Sequence, residues 1–344
     1  MRREVLLFTV TMLIAWHCAS ARTWYIKPDG TGDVPTISAG EDSAASGDTL
    51  LLADGVYTGA DNRSTSVYAK AIRIISESGN PEACVINCQY ASVTCINIAS
   101  CSMGGGAGGI IEGIKITRAS TAVNASCNAS VSVRNCILID NTGIALKASG
   151  SPGMGGYPYV WATDCVFADN PAGAIESGFR CETYGSGCTF WDNGCVLHVS
   201  DEGYGSLSGC TIVRNSASAG PVISVGWYAR ANIETSVIAF NSGNAVDGCC
   251  YGATVNIECC DVYGNGGDYV GYIAGENGVN GNFHADPMFC DLIGDDYRVQ
   301  GISPCLPGNH PDGVDCGHIG AEPEGCGEPA TEPTTWGTIK SMYR

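Results

Sequence analysis

Positive charge is what this chain has least of. Its 344 residues contain 17 Lys and Arg against 35 Asp and Glu, a net charge of −18. That balance excludes a nucleic-acid backbone and an anionic membrane surface as electrostatic partners. Histidine is sparse, with five scattered residues, and none of the 20 cysteines forms a Cys-x-x-Cys pair, so a zinc framework is excluded too. Long apolar runs are missing. The run Val5–Trp16 is 12 residues long, short of the roughly 20 that span a bilayer.

That short run has a different meaning. Arg2 and Arg3 precede it and Ala19-Ser20-Ala21 follows it, the charged start, apolar middle and small-residue exit of a secretory signal peptide. Cleavage after Ala21 removes two basic residues and Glu4, leaving 15 basic and 34 acidic residues, a mature charge of −19. A secreted, extracellular or cell-surface monomer with no membrane span is expected. Export also places the cysteines in an oxidising space.

What the chain does have is a repeat. It reads VSVRNCILIDN (Val131–Asn141), VWATDCVFADN (Val160–Asn170), TYGSGCTFWDN (Thr183–Asn193), GSLSGCTIVRN (Gly205–Asn215), ANIETSVIAFN (Ala231–Asn241) and VNIECCDVYGN (Val255–Asn265), with a degenerate copy at Gly109–Ala119. The last Asn recurs at intervals of 29, 23, 22, 26 and 24 residues, the signature of a solenoid. Within each copy apolar and polar positions alternate, which is strand periodicity. A residue tolerant of a left-handed backbone follows (Asn135, Asp164, Gly187, Gly209), allowing a one-residue bend. A second strand and then a third, as in Gly143–Leu146, complete the coil. The fold class is therefore all-β, a right-handed parallel β-helix of about ten coils with three short strands each.

Cys136, Cys165, Cys188, Cys210 and Cys260 fall in one inward column, with Ser236 between the last two. Parallel side chains on stacked strands hold their Cβ atoms too far apart for disulfides, so free buried thiols are expected there. A short helix near residues 35–45, with Pro35 in its first turn, is expected to cover the first open end. Residues 22–284 form the β-helix with this cap, and 285–327 a C-terminal cap over the other end. There Cys290, Cys305, Cys316 and Cys326 are expected to form disulfides, in any of three connectivities. A polar linker and short tail occupy 328–344.

The opening stretch YIKPDGTGDVPTISAGEDSAASGDTLLLADGVYTG (Tyr25–Gly59) resembles the first coil of pectin-lyase-like proteins. The closing ADPMFCDLIGDDYRVQGISPCLPGNHPDGVDCGHIGAEPEGCG (Ala285–Gly327) resembles the end of secreted bacterial β-helix repeat proteins. The resemblance implies the fold, but the superfamily mixes lyases, hydrolases, epimerases and non-catalytic proteins. Polygalacturonase-type hydrolases carry an Asp-Asp pair on a strand and a Gly-His-Gly. Here Asp295-Asp296 and His318 both lie in the closing segment, so the paired-carboxylate arrangement is absent. Lyases of this group need an acid cluster beside a basic residue, and Lys27, Lys70, Lys115 and Lys147 stand beside no evident cluster. No catalytic residue is assigned.

The outward positions of the first strand give the candidate site. Tyr159, Trp161, Tyr184 and Tyr204, with Glu182 among them, form its aromatic part, Arg230, Asn232 and Asn256 continue it, and the whole strip spans four steps, about 19 Å. Rings of this kind stack on sugar faces while Asn and Glu take hydroxyls, so a polysaccharide or cell-surface glycan is the expected partner. Good strand residues on a polar outer face would look the same. Glu234 and Glu258 repeat in adjacent coils, and their carboxylates with the Asn232 and Asn256 amides are candidate calcium ligands, with Asp261 as a conceivable addition; Arg230 could instead neutralise them without a metal. Trp191 and Tyr263 read as ordinary surface aromatics. Three functions follow: non-catalytic glycan binding, a polysaccharide lyase or related enzyme, and a structural or surface-display module.

Overall fold

The computed structural model describes residues 21–100, 108–150, 157–216, 220–248 and 251–326. Nearly all of the signal peptide and the whole of the linker and tail lie outside the described residues.

The chain is a parallel β-solenoid. Ten strands, from Thr23–Ile26 to Thr254–Glu258, stack in parallel as a first sheet. The second and third strands of each coil form two further stacks, which merge into one fifteen-stranded sheet. They merge because two early coils lack a break between these strands: Cys84–Ser100 and Lys115–Cys127 run on through the bend. The expected three short strands per coil therefore hold in the early coil of Thr49–Leu52, Gly55–Tyr57 and Thr65–Tyr68 and again from Ser130–Arg134 to Val246–Gly248.

Both bends of the repeat are single left-handed residues. The first uses Asn135, Asp164, Gly187, Gly209, Thr235 and Cys259, with φ between 45° and 61°. The second uses Asp140, Asp169, Asp192, Arg214, Phe240 and Gly264, with φ between 51° and 67°. Immediately after this second bend comes the recurring Asn, and its role is visible only in three dimensions. The Asn170 amide donates to the Leu138 carbonyl (2.9 Å) and to Asn193 Oδ1 (2.8 Å). Asn193 repeats this with Phe167 and Asn215, and Asn215 with Phe190 and Asn241. From Asn141 through Asn241 every member is buried. Each Oδ1 also takes the backbone N–H of the Asn one coil earlier. The ladder ends where Asp268 Oδ1 accepts from both the Asn265 amide (2.8 Å) and its backbone N–H (2.8 Å).

Inside, Leu138, Phe167, Phe190, Ile212, Ile238 and Val262 are fully buried and stacked in register, as the alternation requires. The Phe167 and Phe190 rings lie 4.9 Å apart with planes 12° from parallel. The cysteine column beside them is free and buried. Its thiols do more than fill space. Each reaches back to the carbonyl two residues earlier, Cys165 to Thr163 (3.2 Å) and Cys260 to Glu258 (3.2 Å). Ser236 does the same with Glu234 (2.7 Å), which is why serine can replace cysteine in this column. Burial pushes the Cys260 thiol up to about 12 and the Cys165 thiol well above its ordinary value, so neither is a reactive thiolate.

Both ends differ in detail from expectation. The N-terminal helix spans Ile37–Ser43, and Thr36 is its N-cap, accepting from Ala39 N (3.2 Å). Pro35 therefore precedes the cap and is not in the first turn. The far end is closed by residues before Asn282: Ile273 is buried in the core and Tyr269 packs beside it. The Tyr269 hydroxyl donates to the Phe283 carbonyl (2.7 Å). The segment after Phe283 instead turns back along the flank. Phe289, Tyr297, Val299, Cys305 and Ile319 pack against Ala168, Trp191, Val213, Val237 and Ala239, and Tyr263 is half-buried against the same cluster. Trp191, with 4% of its surface exposed, is thus no surface aromatic; strand alternation points it outward, and a second layer covers it.

The cysteines of this segment are corrected too. Cys290 pairs with Cys326, but Cys316 pairs with Cys259 on the solenoid, and Cys305 is free and buried. The flank geometry brings Cys316 to the bend at Cys259, a partner outside the segment that counting its own four cysteines leaves out.

Thiol mapping under denaturing, non-reducing conditions checks this directly. Cys136, Cys165, Cys188, Cys210, Cys260 and Cys305 should be alkylated, and Cys259–Cys316 and Cys290–Cys326 should appear as linked peptides. A Cys165–Cys188 link would overturn the description of the column.

Candidate carbohydrate-binding face

The first sheet presents the candidate residues in three outward columns. Along its edge run Tyr159, Glu182, Tyr204, Arg230 and Thr254. Beside them run Trp161, Tyr184, Ser206, Asn232 and Asn256, and then Thr163, Ser186, Ser208, Glu234 and Glu258. All ten candidates lie on one face. Alternation put them there, and the alanine, glycine and aliphatic residues between them fill the core.

The rings do not stand free. Trp161 stacks on Tyr159 (5.9 Å, 11°) and on Tyr184 (5.6 Å, 9°), while Tyr204 leans away from Tyr184 by 52°. Much of the ring surface in the row is therefore already spent on neighbouring rings, and Trp161 keeps 39% of its surface exposed. The Tyr184 hydroxyl donates to the Glu182 carboxylate. Burial, and then this hydrogen bond, hold the Tyr184 phenol well above its ordinary value, so it stays a neutral donor. Where the row loosens at Tyr204, an open groove of about 760 Å³ begins. Glu182, Tyr184, Tyr204 and Arg230 line it from the sheet, and Glu202, Tyr228 and Gly252 from the adjoining bend. Sequence reasoning reached the first four and missed the bend, whose irregular spacing carries no strand signal.

The acidic end is arranged differently from the aromatic end. Glu234 and Glu258 are register neighbours, and the Asn232 amide already donates to Glu234 (2.6 Å). Asp261 does not join them. It sits on the second strand, fully buried under the C-terminal segment, accepting from Ala285 N (3.2 Å) and facing the Cys305 thiol (3.5 Å). Among the described residues no group of three or more His, Cys, Asp or Glu side chains is placed to hold a metal ion.

Three of the four lysines and both aspartates of the Asp295-Asp296 pair are engaged elsewhere. Lys70 pairs with Glu41 (2.9 Å), Lys115 with Glu82 (3.0 Å) and Lys147 with Glu176 (2.9 Å). Asp295 is held by Arg214 (2.7 Å) and Asp296 by Arg298 (2.6 Å), both in or against the C-terminal segment. His318 Nε2 contacts the Glu322 carbonyl (3.0 Å).

No family model matches the chain, and no curated protein matches it in sequence. Among solved structures it is similar to pectate lyase Pel9A, with a TM-score of 0.59 at 14% identity, covering 89% of this chain and 97% of that one. A weaker likeness, to Geobacillus virus E2 ORF18, has a TM-score of 0.35 at 12% identity over 62% of this chain and 52% of that one, and carries no argument. The class is therefore defined: this is a parallel β-helix repeat protein. Its fold is the one that pectate lyase Pel9A has. Among the described residues no helix is long and apolar enough to cross a membrane.

Asp261 gives a test of the flank. Burial pushes its carboxyl from 3.8 up to about 8. The folded state therefore keeps a proton that the unfolded chain has released, so this group's contribution is full below pH about 4 and is lost as pH rises to about 8. Asp261→Asn should flatten the fall in melting temperature between pH 5 and 8 and leave the variant at least as stable as wild type at pH 8. An identical pH slope in both proteins would mean that the acid is not buried as described.

Proposed function

We propose that the chain is an exported, non-catalytic β-helix protein that binds a polysaccharide through the aromatic end of its first sheet. The observation that carries this reading is the junction of the stacked row Tyr159, Trp161 and Tyr184 with the open groove at Tyr204. Such a junction offers a ring surface beside donors and acceptors, Arg230 on one side of Tyr204 and Glu182 on the other. Flat ring surface with a few convergent polar groups suits a pyranose, which has apolar faces and a hydroxyl rim. Export rests on the N-terminal signal and accords with disulfides, which persist in oxidising compartments. Glu234 and Glu258 serve here as a solvated acidic step whose repulsion the Asn232 amide and water relieve.

A second reading has one observation in its favour, the fold shared with a pectate lyase. Against it, three of the four lysines that could act as bases are tied to glutamates.

One paired assay separates the two. Uronic-acid and uncharged polysaccharides are offered to the protein, with and without millimolar calcium, and both binding and release of unsaturated product are followed. Binding without turnover is expected, unchanged by calcium, and Tyr204→Ala should weaken it about tenfold through loss of a stacking contact. Steady release of unsaturated product would establish the lyase reading. Absence of binding to every polymer would remove both and leave a structural role.

A further inference from the structure

The bend that follows each third strand stacks from coil to coil, as the strands do. Its backbone N–H groups reach the next coil in sequence: Arg180 N to Asp201 O (3.0 Å), Glu202 N to Trp227 O (2.8 Å), Tyr228 N to Tyr251 O (3.2 Å). Successive coils therefore place Phe179, Asp201, Trp227 and Tyr251 in one line and Arg180, Glu202, Tyr228 and Gly252 in the next. The early part of this ridge is ionic, with Arg180 bound to Glu202 (2.6 Å). The later part is aromatic and open. Trp227, Tyr228 and Tyr251 expose 55%, 48% and 75% of their surfaces.

Three large rings side by side in water are unusual for an outer bend, and these are held in a fixed arrangement. Trp227 meets Tyr228 nearly at right angles (5.4 Å, 86°), and Tyr228 meets Tyr251 likewise (5.7 Å, 80°). Gly252 makes this possible. It has φ of +79°, and a Cβ there would lie 2.6 Å from the Tyr228 ring. The side of Tyr228 that faces the first sheet lines the same groove as Tyr204 and Arg230.

We propose that this aromatic bend is a further part of the glycan site, taking an uncharged hexopyranose polymer that crosses the edge of the first sheet from Tyr204 over Tyr228 to Trp227 and Tyr251. The inference rests on the carbohydrate-binding reading above and changes its direction: the row along the solenoid axis has spent its faces on self-stacking, whereas the bend has not. Rings at right angles form a notch with two walls, so that consecutive sugars can meet ring faces in different planes. Charge selects the polymer. Among the described residues that line the groove, Glu182 and Arg230 offset each other and Glu202 is paired with Arg180, so no net positive charge awaits an anion there, and the chain carries −18 overall. A polyuronate would bring one carboxylate per sugar into that field within a Debye length of about 8 Å, while a neutral chain offers only hydroxyls.

The test uses the full chain with uncharged hexasaccharides (cello-, manno- and laminari-series) and with polygalacturonate, titrated by calorimetry. Trp227→Ala/Tyr251→Ala removes only exposed rings, so its melting temperature should match wild type. Its affinity for the hexasaccharide that wild type binds should fall at least tenfold. Full affinity in this variant, with Trp161→Ala or Tyr204→Ala impaired, would overturn the crossing path and leave carbohydrate binding standing. Preference for polygalacturonate would overturn the choice of an uncharged polymer. Self-association that the double variant abolishes, with glycan affinity intact, would make the bend a contact between copies and also overturn the proposal. No binding of any sugar by wild type would take the carbohydrate reading down with it.

Discussion

A solenoid coil has to turn, and each turn interrupts the backbone ladder that holds one coil on the next. At the second bend this chain replaces the interrupted bonds with side-chain amides. Each buried Asn takes a backbone N–H from the coil before it and gives its amide hydrogens to that coil's carbonyl and to the next Asn. An unpaired buried backbone group costs about 1–3 kcal/mol, so a coil without its Asn would leave two such groups in the core. The ladder needs a neighbour above and below, and it closes only when Asp268 supplies the last acceptor. Everything else in the structure inherits this spacing.

Because the second bend is fixed, the strand before it is fixed in register, and the residues of the first sheet become straight columns. The stacked aromatic row is a product of that register, since Trp161 faces Tyr184 only if consecutive coils do not slip. The same constraint gives the inward stack its phenylalanines and the cysteine column its carbonyl acceptors. Coil length can vary at the third bend, and there the chain departs from pure repetition, opening the groove and raising the Trp227, Tyr228 and Tyr251 ridge beside it. Function is proposed where the regular part meets the irregular part.

The period of the Asn, the inward column through Phe190 and the free thiols were all legible in the sequence, because alternation and repetition are local signals. Trp191 was not. Alternation gives only its direction, and what covers it is a segment roughly a hundred residues later. Cys316 was misplaced for a related reason: its partner Cys259 belongs to the solenoid, 57 residues away. Asp261 was readable as an outward acid, but not as one buried by the same segment. On the candidate face the columns followed from the register, whereas the self-stacking of the rings, the pairing of Asn232 with Glu234 and the groove at Tyr228 depend on side-chain conformations and bend shape, which no period encodes.

The most direct test of the account is the stability of Asn193→Ala, measured by denaturant unfolding beside an outer-face control, Ser206→Ala. Losing Asn193 strands the Phe167 carbonyl and the Asn170 N–H in the core, so the account predicts a loss of about 3 kcal/mol, with the control within about 0.5 kcal/mol of wild type. A loss no larger than the control's would contradict it, for the coils would then be held in register by the strands alone.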